Sequence, residues 1–323
     1  LIGLLAFSFE PFAFECWLGG QLSAVASLGY ALCFAAMVRS RPVLAGMALG
    51  ICFYKPTLLI LALPLLVVGR QWKMLLGMTF TGLALAGLSY VLVGWDTSLG
   101  FARELLSFSK STSGGDLEIK TWKYVDLNNC LRLVPGVSSQ VRLLLLVGVG
   151  IAPIVSLARC WWISDAYDVG YRRLLWAATL TWIPVLNLYV GIYDSVLVVQ
   201  GALITAVAVC GAKRPDGNAQ ERDNGGAANS NADHRAPPSI GETLADPRCK
   251  ESNADGPPGP LIQSGFAYLL LAIYVAPWFS QNLAAVTGIP VYTLLLLVLG
   301  VYQLGRLFEY RPVTARVVES TGV

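Results

Sequence analysis

The chain has 323 residues, of which 55% are hydrophobic and 13% are charged, and its mean hydropathy is +0.60. This composition predicts an all-α, polytopic membrane protein and excludes a typical soluble domain. The formal net charge of +3 is too small to indicate a nucleic-acid partner. The single histidine, His234, lies in a hydrophilic segment, so we expect neither a bound metal nor a cofactor.

The first apolar run, residues 1–9, is about half the length that a membrane-spanning helix needs. We interpret it as the end of a helix whose beginning is absent from this sequence. Residues 10–21 follow as an expected outer loop that contains two carboxylates, Glu10 and Glu15. Residues 22–38 then form a span that crosses inward.

The next apolar stretch has a lysine, Lys55, near its middle, followed directly by Pro56. A proline breaks or kinks a helix, and an ammonium at membrane depth marks a partner or a pathway. Basic residues tend to lie on the cytoplasmic side, and they flank this stretch at both ends. We therefore predict a re-entrant hairpin of two short half-helices with its apex toward the outer face. The flanking basic residues are Arg39, Arg41, Arg70 and Lys73.

The remaining spans follow from the same rules of apolar length and basic flanks. We expect spans at 74–94, 141–158, 174–189 and 195–209, a polar outer loop at 95–140, and a final hairpin of 261–279 and 291–304. Residues 212–260 lack Phe, Tyr and Trp and are predicted to be a disordered cytoplasmic linker. The chain thus divides into a transmembrane region (1–211), a linker (212–260) and a C-terminal hairpin with its tail (261–323).

Several polar residues are expected at the outer ends of these apolar helices. Lys55 can bind a phosphate, or its ammonium can reach the interface along its aliphatic stem. Asp194, after Tyr193, is either a substrate-binding carboxylate or the N-cap of the next helix.

Three further residues belong to this outer group. Glu10 and Glu15 form either an acid–base pair or two solvated carboxylates. Gln21 opens a helix whose free amides can meet an anion, unless Gly19-Gly20 is an ordinary turn.

These residues resemble the pattern of glycosyltransferase family 87 (DUF2029). That pattern has a Gly-Gln at a helix start, a Gly-rich segment, a Lys-Pro, a basic-aromatic patch and, later, a proline followed by Tyr-Asp. The matching residues here are Gly20-Gln21, Gly46, Gly50, Lys55-Pro56, Arg70-Gln71-Trp72-Lys73, Pro184 and Tyr193-Asp194.

The resemblance implies a GT-C-like fold and a multi-pass location in the cell (inner) membrane. It also implies transfer of a sugar, often mannose, from a polyprenyl-phosphate donor to a glycan or glycolipid acceptor at the outer face. Lys55, Gln21, Asp194, Tyr193, Glu10 and Glu15 would then bind the substrates.

Three features depart from the family pattern. Gly19 stands where relatives usually carry Asn, and Gly191 stands near the place of a His. The catalytic aspartate of GT-C enzymes lies in the first outer loop, so we expect the general base upstream of Leu1. Two alternatives stay open: a transporter or lipid flippase, in which broken helices also build sites, and a non-catalytic remnant of a glycosyltransferase.

Overall fold

The computed structural model describes residues 8–111, 123–134, 136–164, 169–187, 190–211 and 260–310. These residues form helices and, outside them, one isolated backbone bridge between Tyr124 and Gly191. The α-helices after the first are α2 (Ser23–Val38), α3 (Pro42–Gly50), α4 (Ala62–Val68), α5 (Trp72–Val93), α6 (Trp95–Ser111), α7 (Leu127–Leu133), α8 (Ser139–Trp162), α9 (Val169–Leu186), α10 (Val196–Gly211), α11 (Pro260–Val275), α12 (Pro277–Thr287) and α13 (Val291–Glu309). The first helix, α1 (Pro11–Leu18), is π-helical, and 3₁₀ turns occupy Ile51–Tyr54, Pro56–Leu59 and Ile192–Ser195.

Three of these helices, α5, α8 and α13, are long and apolar enough to cross a membrane. Two bent pairs, α1 with α2 and α11 with α12, raise that number to five if each pair is one span. The predicted all-α, polytopic class is therefore confirmed. The expected linker and the C-terminal tail lie outside the described residues.

The core of the bundle is α9, which packs against α8, α10 and α13. Every residue from Leu174 to Val185 is buried, although a Pro, Pro184, lies inside the helix. Gly201 of α10 and Gly300 of α13 lie against α9, where an added Cβ would be 2.7 Å from Ala177 O or from the Trp182 ring. Gly201 thus lets the backbones of α9 and α10 approach closely, as small residues do in membrane bundles, and Gly300 leaves room for the Trp182 ring.

The short helices around Lys55 are present as predicted, and their packing shows that the chain reverses there. Gly46 of α3 lies against Met74 of α5, and further along the two helices Phe53 lies against Gly82. Contacts that advance together along both helices mean that α3 and α5 run parallel. The segment between them must therefore return, so the basic start of α3 and the basic start of α5 lie at the same end. Arg70 there stacks on the Trp162 ring of α8, 4.2 Å from the centroid.

The apex of the hairpin does not reach the far end of α5. Phe53 is level with Gly82, and the rest of α5 extends roughly 15 Å beyond that level at 1.5 Å per residue. Leu83, Val91 and Leu92 in this part of α5 are exposed in the described chain. Lys55 therefore lies at an intermediate depth of the longest neighbouring helix and not at its tip.

Two segments that were expected to be loops contain helices. Residues 10–21 include α1, because Phe9, Phe12 and Cys16 pack against the Tyr193–Val196 region. Residues 95–140 include α6, which follows a chain reversal at Gly94 with φ +79°, and α7. The predicted span 261–279 also ends early, at Val275, because Pro277 cannot donate a helical hydrogen bond and the chain bends by 73° into α12.

Candidate active site

An ion pair between Lys55 and Asp194 lies at the centre of the candidate site. The Lys55 ammonium is 2.6 Å from both carboxylate oxygens of Asp194. The Asp194 side chain is fully buried, whereas the Lys55 side chain is 26% exposed. The Lys55 ammonium thus contacts Asp194, and the phosphate-binding and interfacial alternatives for Lys55 both stay predictions. The alternative N-cap role of Asp194 is wrong, because Asp194 lies inside the 3₁₀ turn and its carboxylate accepts from side chains.

Two neighbours complete the surroundings of the pair. Ser23, at the start of α2, donates its hydroxyl to Asp194 Oδ1 at 2.5 Å. The Tyr193 ring lies beneath the ammonium, with Lys55 Nζ 4.5 Å from the ring centroid. The carboxylate and the aromatic face both attract the ammonium and hold it in place. The ammonium is thus held by Asp194 and Tyr193, while the Lys55 side chain stays partly exposed.

The apex that carries Lys55 is fixed by hydrogen bonds from three different helices or turns. The Tyr30 hydroxyl of α2 donates to Leu58 O at 2.8 Å, and Tyr54 donates to Leu22 O at 2.5 Å. The Asn187 amide, directly after α9, donates to Thr57 O at 2.5 Å. These three bonds tie the break of the helix to α2 and to the end of α9.

The turn that carries Tyr193 and Asp194 depends on a glycine. The Asp194 amide donates to Gly191 O at 3.0 Å, which closes the turn. A Cβ at position 191 would lie 2.4 Å from Cε1 of the Tyr193 ring. Only glycine lets the ring lie over its own backbone and remain under Lys55. Gly191 stands near the place where the family pattern has a His. The close approach of the Tyr193 ring is a steric reason for a glycine at this position.

The other predicted site residues lie around this turn. Helix α1 packs against it, and Cys16 Sγ is 3.7 Å from Tyr193 O. Glu10 precedes α1 and Glu15 lies on it, both half-buried. Gln21 is exposed two residues before α2 begins, and its amide donates to Glu15 O at 3.3 Å. The structure thus gathers all six predicted residues around this turn, with Lys55, Tyr193 and Asp194 in direct contact.

Glu10 is electrostatically distinct among them. Burial and, to a smaller extent, the nearby charge of Glu15 together raise the pKa of the Glu10 carboxyl to about 7. Among the described residues, no group hydrogen-bonds to its buried Oε2 atom. A carboxyl that titrates near neutrality can exchange a proton at physiological pH, which fits the acid–base alternative for Glu10.

Four residues of the site were not singled out from the sequence: Ser23, Tyr30, Asn187 and Asp126. Asp126 is fully buried and accepts from Asn129 and from Val190 N, which precedes the Tyr193–Asp194 turn. Burial raises the pKa of the Asp126 carboxyl, while these hydrogen bonds act in the opposite direction. The capping role of Asp126 could have been found from the sequence, since an Asp immediately before an apolar helix start is typical of an N-cap. Ser23 and Asn187 carry no such signal, because they act only through contacts distant in sequence.

The described residues contain no group of three or more His, Cys, Asp or Glu side chains suited to a metal ion. Chemistry without a metal or a cofactor stays a prediction.

No curated protein and no solved structure matches the chain. The family model of glycosyltransferase family 87 matches residues 1–188, a range that contains Lys55, Ser23 and the Glu10–Gln21 segment and ends shortly before Tyr193. Because the match covers more than half of the 323 residues, the chain belongs to glycosyltransferase family 87, and this membership implies a membrane glycosyltransferase.

Proposed function

We propose that this protein transfers a sugar, a hexose such as mannose, from a polyprenyl-phosphate donor to a glycan or glycolipid acceptor. The reaction would take place at the outer face of the cell (inner) membrane, on a GT-C-like scaffold. The observation that carries the proposal is Lys55 at the break of a re-entrant hairpin, where its ammonium is held by buried Asp194 and its side chain remains partly exposed.

The chemistry needs a cation at the leaving group. An acceptor hydroxyl attacks the anomeric carbon, the bond from that carbon to the phosphate oxygen breaks, and the phosphate departs with the electron pair. The hydroxyl proton passes to a carboxylate base. Stabilisation of the developing negative charge is often the largest catalytic contribution, and a lysine acts on phosphate as a point charge. Lys55 would supply that charge, so no metal or other cofactor is needed at this step.

Asp194 has a supporting role in this proposal. Its carboxylate is fully buried and already contacts Lys55 and Ser23, so it is poorly placed to hold a sugar hydroxyl. We assign it the role of holding the Lys55 ammonium in a fixed position. Tyr193 supports the same ammonium with its ring face. Glu10, Glu15 and Gln21, which are partly or fully exposed around the turn, are assigned to sugar and acceptor hydroxyls.

The depth of Lys55 supports a lipid-linked donor. Phe53, two residues before Lys55, is level with Gly82 and thus roughly 15 Å short of the far end of α5, inside the thickness that a membrane span covers. A phosphate on a polyprenyl chain can approach that depth laterally from the bilayer, whereas a soluble nucleotide sugar would have to leave water. The basic ends of α3 and α5 lie at the opposite end of the hairpin, which favours the outer side for the site.

The test is a transfer assay with a radiolabelled polyprenyl-phosphate mannose in membranes that contain the protein. Lys55→Ala is compared with wild type and with Lys73→Ala, which removes an exposed cation at the opposite end. We expect transfer by wild type and by Lys73→Ala, and loss of at least about 100-fold in Lys55→Ala. Absence of transfer by wild type with several polyprenyl-phosphate sugars would contradict the proposal.

The same membranes separate transfer from lipid transport. If the labelled lipid crosses the bilayer without losing its sugar, the transporter or flippase alternative is correct. If the protein is folded and neither transfers nor moves the lipid, the non-catalytic alternative is favoured.

A further inference from the structure

A short segment from the long outer connection is fastened to the turn that carries Asp194. We call residues 123–134 the strap; it contains α7. The Val125 amide donates to Val190 O at 2.9 Å, and the Val190 amide donates to Asp126 Oδ2 at 3.1 Å. Both peptide groups of Val190 that face the strap are thus bonded to it. The bridge between Tyr124 and Gly191 continues this pairing by one residue toward the site.

Asp126 is the centre of this attachment. Its side chain is fully buried, and its carboxylate accepts three hydrogen bonds. Oδ1 accepts from Asn129 N at 2.9 Å, while Oδ2 accepts from Asn129 Nδ2 at 2.8 Å and from Val190 N. One oxygen therefore caps α7 and the other joins α7 to the chain before the site. A carboxylate suits this position because all its neighbours are donors.

We propose that Asp126 is a positioning residue for the Lys55–Asp194 pair. The connection is short: Asp126 holds Val190, Gly191 follows, and Gly191 O accepts the Asp194 amide at 3.0 Å. The orientation of this turn sets where the Asp194 carboxylate meets Lys55. The inference rests on the proposed function only in assigning a catalytic use to that pair.

The substitution Asp126→Asn tests this role selectively. Asparagine has the same shape and is itself a good N-cap, so its carbonyl oxygen can keep the bond from Asn129 N and preserve α7. Its NH2 group must then face the Val190 amide, which loses its acceptor, whereas Asn129 can turn its buried, unpartnered Oδ1 toward the new NH2 group. The variant thus removes the hydrogen bond between the strap and the Val190 amide, with little change in side-chain volume.

Two readouts on the full chain in lipid nanodiscs test the proposal. The first is hydrogen–deuterium exchange of the 190–195 amides. We expect exchange there to be about tenfold faster or more in Asp126→Asn, while α9 and α13 remain protected.

The second readout is steady-state transfer, in which the KM for the lipid donor should rise by about tenfold or more because Lys55 is no longer held in place. Asp96→Asn, the same change at an exposed carboxylate of α6, is the control and should alter neither.

The outcomes separate this inference from the proposed function. Unchanged exchange at 190–195 in Asp126→Asn overturns the positioning role, whatever the transfer assay gives. Faster exchange with an unchanged donor KM overturns the link from the strap to the pair. Faster exchange in a protein whose wild type transfers no sugar supports the mechanical connection and contradicts the proposed function alone. General loss of protection, including α9, would show that Asp126 supports the whole fold and would also overturn the positioning role.

Discussion

Lys55 and Asp194 are 139 residues apart in sequence, yet the Lys55 ammonium contacts both oxygens of the Asp194 carboxylate at 2.6 Å. The pair joins the apex of the re-entrant hairpin to the turn before α10. Removal of one member of a buried ion pair is costly because the other charge stays buried, whereas replacement of both by apolar residues is often neutral. A variant in which both residues are apolar should therefore fold, so its activity can be measured without a loss of stability.

The first prediction concerns stability. Lys55→Met leaves the fully buried Asp194 carboxylate without its cation and should lower the free energy of unfolding by about 3 kcal/mol. Lys55→Met combined with Asp194→Leu should recover most of that loss. Thermal unfolding in detergent measures both, with Lys73→Met as the exposed control. Equal destabilisation by the single and the double variant would contradict a buried-charge cost.

The second prediction concerns Gly191. In Gly191→Ala the new methyl group would lie 2.4 Å from Tyr193 Cε1, so the ring must leave its place beneath Lys55. Loss of a cation–π contact of about 1 kcal/mol predicts a decrease in transfer of about fivefold or more, with the bundle still folded. Gly148→Ala, where the added Cβ meets open space in α8, is the control. Wild-type transfer by Gly191→Ala would show that the ring position is unimportant.

The third prediction tests the parallel packing of α3 and α5. A Cβ at Gly77 would lie 2.1 Å from Val43 O, so Gly77→Ala must separate two helix backbones and should cost about 1–3 kcal/mol. Gly87→Ala, in the same helix, meets nothing within 4 Å and should be neutral or slightly stabilising. The two melting temperatures are compared in the same detergent. A difference in the opposite direction would exclude this packing.

The fourth prediction is a pH dependence of stability at Glu10. Its pKa is raised from 4.5 to about 7 by burial and by Glu15, so the folded state binds its proton more tightly than the unfolded state does. The contribution of this group to stability is therefore complete below pH 4.5 and is lost as the pH rises through 7. Glu10→Gln should remove this part of the pH dependence of the melting temperature, whereas Glu104→Gln on exposed α6 should leave it. An identical pH profile in Glu10→Gln and wild type would contradict the raised pKa.

The hairpin could be predicted from sequence because its signals are local. A lysine and a proline interrupt an apolar run that has basic residues at both ends. A hairpin is one of few arrangements that keep both basic ends on the cytoplasmic side of the membrane. The same reasoning placed Asp194 and Tyr193 at the outer end, and the structure brings them to Lys55. The pairing itself was not predicted, because charge patterns give the side of the membrane and carry no information on which helices are neighbours.

The depth of the apex, the role of Ser23 and the contact of Asp126 with Val190 were also beyond local patterns. The level of Lys55 follows from the match of Gly46 to Met74 and of Phe53 to Gly82, which are contacts between separate helices. Residues 10–21 were expected to be a loop because two carboxylates and Gly19-Gly20 interrupt the apolar pattern. They form α1 because their aromatic residues find an apolar surface near Tyr193, which only the tertiary structure supplies.

The most direct test of the central claim is steady-state sugar transfer by the double variant Lys55→Met with Asp194→Leu. This variant removes both charges without leaving either one buried and unpaired, so we expect it to fold. Transfer from the polyprenyl-phosphate donor is measured per folded molecule, beside wild type and Lys73→Met. We predict a folded protein whose transfer is reduced at least about 100-fold. Transfer within about threefold of the wild-type rate would show that the pair only stabilises the fold, and would contradict its role in catalysis.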